Sequence, residues 1–245
     1  MKIYFKFIFI LLLILFFTKF FILAEENLAS KLSGRILLQV ESHGEAWYIN
    51  PKNNKRYFLG KSGDAFRVMR EQGVGVTNKN LKKIPLSLDF LTGQDTDKDS
   101  LPDSFEDAIG TNKFKKDSDS DTYDDKKELS SGYSPISLEK LNFNINFADD
   151  QKGKILLQVE SHGEAWYVNP ENKKRYFLGK PSDAFLLMRK LGLGISNENL
   201  ALITLVKQDK DEYEEEVVKL DYEVDYNTYK KIVKTNKALI KVIIY

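Results

Sequence analysis

The chain has 245 residues, of which 42% are hydrophobic and 30% charged, with a formal net charge of +1 and no cysteine. This apolar content is typical of a folded protein, and the length allows one large or two small domains. The near-zero charge and the lack of a basic stripe argue against nucleic-acid binding. The lack of cysteine excludes disulfide bonds and thiolate metal sites as the means of stabilising small domains.

Residues 1–24 predict an export signal. Lys2 and Lys6 precede an uncharged apolar stretch, which is the order of a positive n-region and an apolar h-region, and a cleavage site can follow Ala24. The same residues are long enough to span a bilayer, so an uncleaved N-terminal membrane anchor is the alternative. Both predict an exported protein, secreted or at the cell surface, that contacts a membrane only through this segment.

The chain contains two near copies of one sequence. The first begins at Gly34 with GRILLQVESHGEAWYINPKNNKRYFLGK, and the second begins at Gly153 with GKILLQVESHGEAWYVNPENKKRYFLGK. The copies align without a gap, which indicates a duplicated module. We call residues at equal positions in the two copies counterparts.

Each copy predicts three short strands followed by a helix. Apolar and polar residues alternate in ILLQVE, and turns rich in glycine, asparagine and proline separate this strand from two more. A helix is predicted from about Asp64, with Gly73 as its stop. We therefore expect two small α+β modules, at residues 31–92 and 153–206. Since a core of this size is marginal, the modules would pack together or against the segment between them.

The predicted strands carry a set of aromatic residues. They are Trp47, Tyr48, Tyr57 and Phe58 in the first copy and Trp166, Tyr167, Tyr176 and Phe177 in the second. Neighbouring residues of a strand face opposite sides of the sheet, so one half of the set can be exposed. An exposed ring, with Tyr48 and Tyr167 as the residues to test, would suit stacking against a cell-wall glycan. In so small a module, however, we expect most of these aromatic residues to pack in the core.

The two histidines, His43 and His162, each lie in a Ser-His-Gly-Glu turn. The following carboxylates, Glu45 and Glu164, would complete an acid–base or metal-binding pair, which is the basis of a hydrolase hypothesis. A catalytic zinc site would lack further histidine or cysteine ligands in either copy. We therefore interpret these residues as closing a turn and expect the protein not to be an enzyme.

Residues 93–135, the acidic segment, place carboxylates at fixed offsets in two loops of twelve residues. Positions 1, 3, 5, 9 and 12 are acidic and position 7 offers a backbone carbonyl, the arrangement by which a loop surrounds a hard divalent cation. The predicted ligands are Asp95, Asp97, Asp99, Leu101, Asp103 and Glu106 in the first loop and Asp117, Asp119, Asp121, Tyr123, Asp125 and Glu128 in the second. Because clustered carboxylates repel one another without a cation, we predict two calcium sites, with a solvated acidic linker as the alternative. Gly110 and Gly132 predict the end of a short helix after each loop.

The run from Asp95 to Pro135 resembles the bacterial thrombospondin type 3 repeats, and more distantly the loops of EF-hands and dockerins. The resemblance implies calcium binding in a secreted or surface protein. The sequence departs from that pattern at position 6, where glycine is usual and Ser100 and Thr122 stand here. A β-branched threonine adopts positive φ poorly, so we expect the second site to be the weaker. The repeated module is similar to a repeat of exported bacterial proteins, which supports a surface setting and no particular activity.

Residues 136–152 and 207–245 are predicted to be a linker and a tail. Apolar residues alternate with polar ones at Phe143, Ile145 and Phe147, which predicts a strand crossing between the modules. The tail is acidic and then apolar, and its start echoes the first loop, which indicates a decayed third calcium segment.

The sequence thus predicts an α+β protein with two small three-strand-plus-helix modules joined by a calcium-binding loop segment. Its predicted function is that of an exported calcium-binding structural or adhesive protein, in which calcium orders a spacer between two like modules. Paired modules would bind a repetitive cell-wall glycan or a surface protein with avidity. The alternative is a cell-wall or glycan-binding protein whose specificity lies in the strand aromatics.

Overall fold

A computed structural model of the chain describes residues 28–60 and 62–206. The predicted export signal and the tail with its third calcium segment lie outside these residues. Within them, no helix combines the length and the apolar character that crossing a bilayer requires. The described residues form a mixed fold of small sheets and short helices, which agrees with the predicted α+β class.

The two copies of the repeat contain the same series of strands and helices. The first copy contains β1 (Ile36–Gln39), β2 (Ala46–Ile49), β3 (Arg56–Phe58), α1 (Ser62–Gln72), β4 (Val74–Val76) and α2 (Asn78–Leu81). The segment between the copies contains α3 (Asp103–Ile109), α4 (Asp125–Ser131), β5 (Tyr133–Ser134), β6 (Ser137–Lys140) and α5 (Ile145–Gln151). The second copy contains β7 (Ile155–Gln158), β8 (Ala165–Val168), β9 (Arg175–Phe177), α6 (Pro181–Leu191), β10 (Leu193–Ile195) and α7 (Asn197–Ala201). Each copy has the predicted three strands and helix, and a fourth short strand follows the helix.

The fourth strand of each copy belongs to the sheet of the other copy. The first sheet has the strand order β10-β1-β2-β3, and the second sheet has the order β4-β7-β8-β9. Pairing within a copy is antiparallel, whereas β10 runs parallel to β1 and β4 runs parallel to β7. The copies are therefore interlocked, because neither sheet is complete without a strand of the other copy.

A pseudo-twofold contact joins the copies where their first strands begin. The Tyr48 hydroxyl donates to the Gly153 carbonyl (2.8 Å), and its counterpart Tyr167 donates to the Gly34 carbonyl (2.7 Å). Both glycines have positive φ, and a Cβ atom at Gly34 would lie 2.4 Å from the Gly153 Cα atom. Burial raises the pKa of both phenols, so they act as hydrogen-bond donors inside the protein. Only glycine permits this approach of the two backbones.

Three apolar cores fill the described body. The central core includes side chains of α1 and α6, one helix from each copy. Alternation along the strands sends Ile36 and Tyr48 into this core and Leu37 and Ile49 into a smaller core on the outer face of the first sheet. The remaining core lies on the outer face of the second sheet, where α3 of the acidic segment covers it.

Residues 136–152 do not form the crossing strand that their alternation predicts. They contain β6, which pairs with β5, and the helix α5. Asn144 begins that helix, because its side-chain oxygen accepts from the Phe147 amide (2.9 Å). Helical spacing then buries Ala148 and Gln151 on one face. The alternation at Phe143, Ile145 and Phe147 suggested a strand, although the last two of these residues lie in the helix.

Candidate metal centre

Two triplets of aspartates bring their carboxylate oxygens together. The triplets are Asp95, Asp97 and Asp99 in the first loop and Asp117, Asp119 and Asp121 in the second, and in each the ligand atoms lie within 4.8 Å of one another. These are positions 1, 3 and 5 of the predicted loops. Each triplet can hold a metal ion.

Several carboxylate oxygens in these loops are buried and have no hydrogen-bond partner among the described residues. In the first loop they belong to Asp97, Asp99 and Glu106, and in the second to Asp119 and Glu128. The side chain of Glu106 is fully buried, and Asp99 and Glu128 are 8% and 5% exposed. A buried polar atom without a partner is costly, and a charged one more so. A cation inside each loop would satisfy these oxygens, so the loops fit a metal ion.

Backbone amides hold other carboxylate oxygens in place. In the first loop, Asp95 accepts from the Lys98 and Ser100 amides (2.7 and 3.0 Å), and Asp99 accepts from the Leu101 amide (2.6 Å). The second loop repeats these three contacts at 2.7, 2.8 and 2.9 Å. The aspartates are thus positioned by the loop itself, which reduces the entropy cost of gathering them around an ion.

The aspartate at position 9 of each loop accepts two hydrogen bonds from the residue at position 2, which the ligand spacing does not include. Asp103 accepts from the amide and the hydroxyl of Thr96 (both 2.8 Å), and Asp125 accepts from the amide and the hydroxyl of Ser118 (2.7 and 2.6 Å). The available sequence signal was a hydroxyl residue at position 2 of both loops. Position 9 often reaches calcium through a water molecule, a role that these contacts leave open.

Position 12 of each loop lies on a short helix. Glu106 lies in α3 and Glu128 lies in α4. Both helices end at a left-handed glycine, Gly110 with φ 90° and Gly132 with φ 81°, as the sequence predicts. The helix start therefore carries the glutamate back toward the aspartates of its own loop.

The first loop is anchored on the second sheet. Phe105 of α3 is fully buried, and its ring centroid lies 6.2 Å from that of Trp166 and 5.7 Å from that of Phe177. Leu101, at position 7, is also fully buried. The residue at position 7 of the second loop, Tyr123, is instead 51% exposed. The first loop is thus part of the protein core, while the second lies further out.

Burial and mutual repulsion raise the pKa values of several loop carboxyl groups. Burial first, and then the charges of Asp97 and Asp99, raise the pKa of Glu106 from 4.5 to about 8. Burial and neighbouring aspartates likewise raise the pKa of Asp99 to about 6 and that of Glu128 to about 7. Without a cation, these groups hold protons at a pH where exposed carboxyl groups have lost them. A bound divalent cation would reverse this preference.

Metal-free protein is expected to lose stability as the pH rises from about 4.5 to about 8. The folded-state pKa of Glu106, about 8, lies above its ordinary value of 4.5, so the folded state binds this proton more tightly than the unfolded state does. The stabilisation is complete below the unfolded pKa and is lost as the pH passes the folded pKa. Urea unfolding in chelator at several pH values measures the trend, and greater stability at the alkaline end would contradict it.

The Thr122→Gly substitution is expected to strengthen the second loop. Thr122 and Ser100, at position 6 of the two loops, both adopt positive φ, 86° and 76°. This conformation costs a β-branched residue about 1 kcal/mol, so glycine should raise calcium affinity about fivefold at the second site. Ser100→Gly is the matched control and should give a smaller gain at the first site. Calorimetric titration measures both, and weaker binding by Thr122→Gly would contradict the expectation.

The Ser-His-Gly-Glu turns are closed by their own glutamates. Glu45 accepts from the Ser42 hydroxyl (3.2 Å) and from the His43 amide (3.0 Å). The turn of the second copy repeats both hydrogen bonds at the same distances. These contacts give the residues a structural role in the turn, as the sequence interpretation expects.

Most strand aromatics lie inside the protein. The buried members are Tyr48, Tyr57, Trp166, Tyr167 and Tyr176. The predicted core packing of most of these residues is confirmed. Tyr48 and Tyr167 point into the central core, so neither can be the residue that stacks against a glycan. Trp47 and Phe58 remain partly exposed on the outer face of the first sheet, with the Arg56 guanidinium 5.0 Å from the centre of the Trp47 ring.

The two acidic loops are thus the strongest candidate site in the described part of the chain. They combine clustered carboxylates, buried oxygens without partners and raised pKa values, and each feature occurs in both loops. Function is therefore inferred from this geometry. In comparisons with protein-family models, with curated proteins and with solved structures, the chain has no match.

Proposed function

We propose that the protein is an exported calcium-binding protein with a structural or adhesive role at the cell surface. The observation that carries this proposal is the set of buried carboxylate oxygens without partners, at matching positions 3 and 12 of both loops. A solvated acidic linker would keep its carboxylates in water, where they carry no desolvation cost. Carboxylates that fold inward at matching positions are expected when an ion is to be held there.

Calcium suits these loops better than magnesium or zinc. The predicted ligands are all oxygen atoms, from five carboxylates and one backbone carbonyl in each loop. Calcium takes about six to eight oxygen ligands in a flexible geometry, and the glutamate at position 12 can supply two of them. Magnesium requires a strict octahedron and keeps several waters, while zinc sites favour nitrogen and sulfur ligands.

Calcium would brace the acidic segment against the second sheet. Phe105 and Leu101 hold the first loop to the core, so an ion shared by Glu106 and the aspartates would tie the loop to α3. Each sheet contains a strand of the other copy, so the distance between the copies is already set by their pairing. We therefore propose this bracing role in place of a spacer between separate modules.

The proposed setting is outside the cell. The predicted export signal would deliver the chain to a compartment rich in free calcium, where loops with dissociation constants of about 10⁻⁴ to 10⁻³ M are occupied. The chain has no cysteine, so bound calcium would take the stabilising role that disulfide bonds have in other exported domains. A cell-wall glycan or a surface protein is the proposed partner.

Titration calorimetry with calcium and with magnesium tests this proposal. Residues 25–245 should show two calcium-binding events and a higher melting temperature with calcium, whereas magnesium should stabilise far less. The Asp97→Ala, Asp119→Ala variant should lose both events. The matched control is Asp107→Ala, Asp124→Ala, which removes two exposed acids that are not predicted ligands, one directly after the first loop and one at position 8 of the second, and it should keep both events. No heat and no stabilisation at millimolar calcium would overturn the proposal.

The glycan-binding alternative depends on the partly exposed pair Trp47 and Phe58. If it holds, a Trp47→Ala variant should lose retention on insoluble cell-wall glycan while its stabilisation by calcium is unchanged. Retention that is absent in the native chain would contradict this alternative and leave the calcium proposal intact.

A further inference from the structure

The two acidic loops differ most at positions 7, 8 and 11, which we call the flank of a loop. The flank of the first loop is Leu101, Pro102 and Phe105, and the flank of the second loop is Tyr123, Asp124 and Lys127. All three residues are buried in the first loop, and all three are exposed in the second. The hydrogen bonds inside the two loops repeat, so the flank has the same place relative to the aspartates in each loop.

The flank of the first loop is a docking surface that is used within the protein. Phe105 packs edge-on against Trp166 and Phe177 of the second sheet, and Leu101 lies in the same core. Its residues are accordingly apolar, as burial against a sheet requires. The flank of the second loop is left uncovered by the residues that the structure describes, and it is not apolar throughout.

The flank of the second loop carries an aromatic ring and an ammonium group side by side. Tyr123 is 51% exposed, and the Lys127 ammonium lies 4.9 Å from the centre of the Tyr123 ring. Asp124 precedes α4, and its exposed carboxylate does not cap that helix. The flank therefore offers a stacking surface, a charged donor and a hydrogen-bond acceptor to a molecule outside the protein.

A calcium ion in the second loop would add a fourth binding group. The loop fits an ion because Asp119 and Glu128 have buried oxygens without partners among the described residues, and Glu128 is only 5% exposed. Both oxygens of Asp125 already accept from Ser118. The three aspartates of the triplet, the Tyr123 carbonyl and the two oxygens of Glu128 would then give the ion about six protein oxygens. Calcium takes about six to eight, so up to about two positions remain for water or for a ligand.

The ring, the ammonium, the carboxylate and the ion together suit a sugar that carries an acid group. The apolar face of a sugar ring can stack on Tyr123, and its hydroxyl groups can donate to Asp124. The acid group of the sugar would be matched by Lys127 and the ion, which are both cations. An acidic peptide would use the cations but would be repelled by Asp124. The flank therefore favours an acidic glycan over an acidic protein.

We propose that the flank of the second loop and its calcium ion bind a glycan whose sugars carry carboxylate groups. This inference rests on the function proposed above, since it requires an ion in the second loop, and it names the chemical class of the partner. The two loops then have different roles. The first loop braces the protein through its buried flank, and the second loop presents calcium to the glycan through its exposed flank.

Calorimetric titration of residues 25–245 with short sugars, at saturating calcium and in chelator, tests this inference. Trigalacturonate supplies the carboxylate-bearing sugar, maltotriose is its neutral control, and tetraglutamate supplies the same kind of charge on a peptide. Trigalacturonate should bind in calcium, and it should bind at least about tenfold more weakly in chelator. Maltotriose and tetraglutamate should both bind at least about tenfold more weakly than trigalacturonate in calcium.

Substitutions in the flank should weaken trigalacturonate binding without emptying the loop. Tyr123→Ala and Lys127→Met should each cost about tenfold in affinity, through the lost stacking surface and the lost charged donor. Calcium is kept saturating, and a calcium titration of each variant checks that the second loop is occupied. The matched control is Tyr133→Ala, Lys140→Met, which removes another exposed ring with an ammonium 5.5 Å from its centre, outside both loops. It should leave trigalacturonate binding unchanged.

The Asp119→Ala variant separates this inference from the function on which it rests. It should lose trigalacturonate binding and the second calcium event while keeping the first. Two calcium events in the native chain without trigalacturonate binding would overturn the inference and leave the proposed function standing, whereas no calcium event would overturn both. Tetraglutamate binding as tight as that of trigalacturonate would overturn the glycan in favour of an acidic protein. An equal loss in the control variant would also overturn the assigned site.

Discussion

The Glu106→Gln substitution is expected to remove the stabilisation by calcium at the first loop without destabilising the metal-free protein at alkaline pH. Glu106 is fully buried, has an oxygen without a partner among the described residues, and sits where position 12 supplies both oxygens to the ion. At a calcium concentration of about one hundred times the dissociation constant, one site contributes about 2.7 kcal/mol. Its loss should lower the melting temperature in calcium by about 5 to 10 °C for a chain of this size.

The stability of Glu106→Gln without calcium shows whether Glu106 is a metal ligand or an ordinary core residue. Without calcium and above about pH 8, Glu106 carries a buried charge, so the neutral glutamine should be at least as stable. Thermal melts in calcium and in chelator measure both halves. Glu139→Gln removes an exposed carboxylate in β6 and should change neither. Equal destabilisation by Glu106→Gln with and without calcium would show that the residue serves packing and not metal binding.

The Gly34→Ala substitution is expected to cost about 4 kcal/mol of unfolding free energy, from backbone overlap and unfavourable φ together. The added Cβ atom would lie 2.4 Å from the Gly153 Cα atom, and a backbone atom cannot rotate aside as a side chain can. The overlap would also displace the carbonyl that accepts from Tyr167. A loss of this size is a large part of the stability of a small protein, so weak expression or a much lower urea midpoint is expected.

Gly44→Ala is the matched control for this second prediction. Gly44 also has positive φ, but a Cβ atom there would meet only the tip of Arg189, at 4.0 Å. It should therefore cost about 1 kcal/mol, the penalty for the backbone conformation alone. Urea unfolding compares the two variants in calcium. Equal losses would mean that the copies do not meet at Gly34 and Gly153, and would contradict the interlocked arrangement.

The local elements of this fold were predictable from the sequence, and the exchange of strands was not. Alternation in the strands and the stop at Gly73 depend on neighbouring residues, and the structure has these elements where the sequence predicts them. The fourth strand, Val74–Val76, has three residues and a central glycine, so it carries no strand pattern of its own. Its partner is β7 of the other copy, and such a distant pairing leaves no local trace.

In the candidate site, too, the local features were predictable from the sequence and the long-range contacts were not. Ligand spacing identified the aspartates that the structure gathers, because a twelve-residue loop encodes its ligands locally. The spacing could not show that Phe105 and Leu101 seat the first loop on Trp166, while the exposed Tyr123 leaves the second loop further out. The sequence also could not show on which side of the sheet the strand tyrosines are buried. Alternation assigns residues to two opposite faces of a strand but does not say which face is covered. Tyr48 and Tyr167 are buried because the copies interlock there.

Hydrogen exchange across the chain, with calcium and with chelator, tests the central claim most directly. Amides of residues 95–131 should exchange at least about tenfold more slowly with calcium, which corresponds to about 1.4 kcal/mol of local stabilisation. The amides of β1, β2, β7 and β8 should change far less, because their pairing does not involve the ion. Equal exchange of residues 95–131 at millimolar calcium and in chelator would contradict the account and leave the acidic segment without a metal.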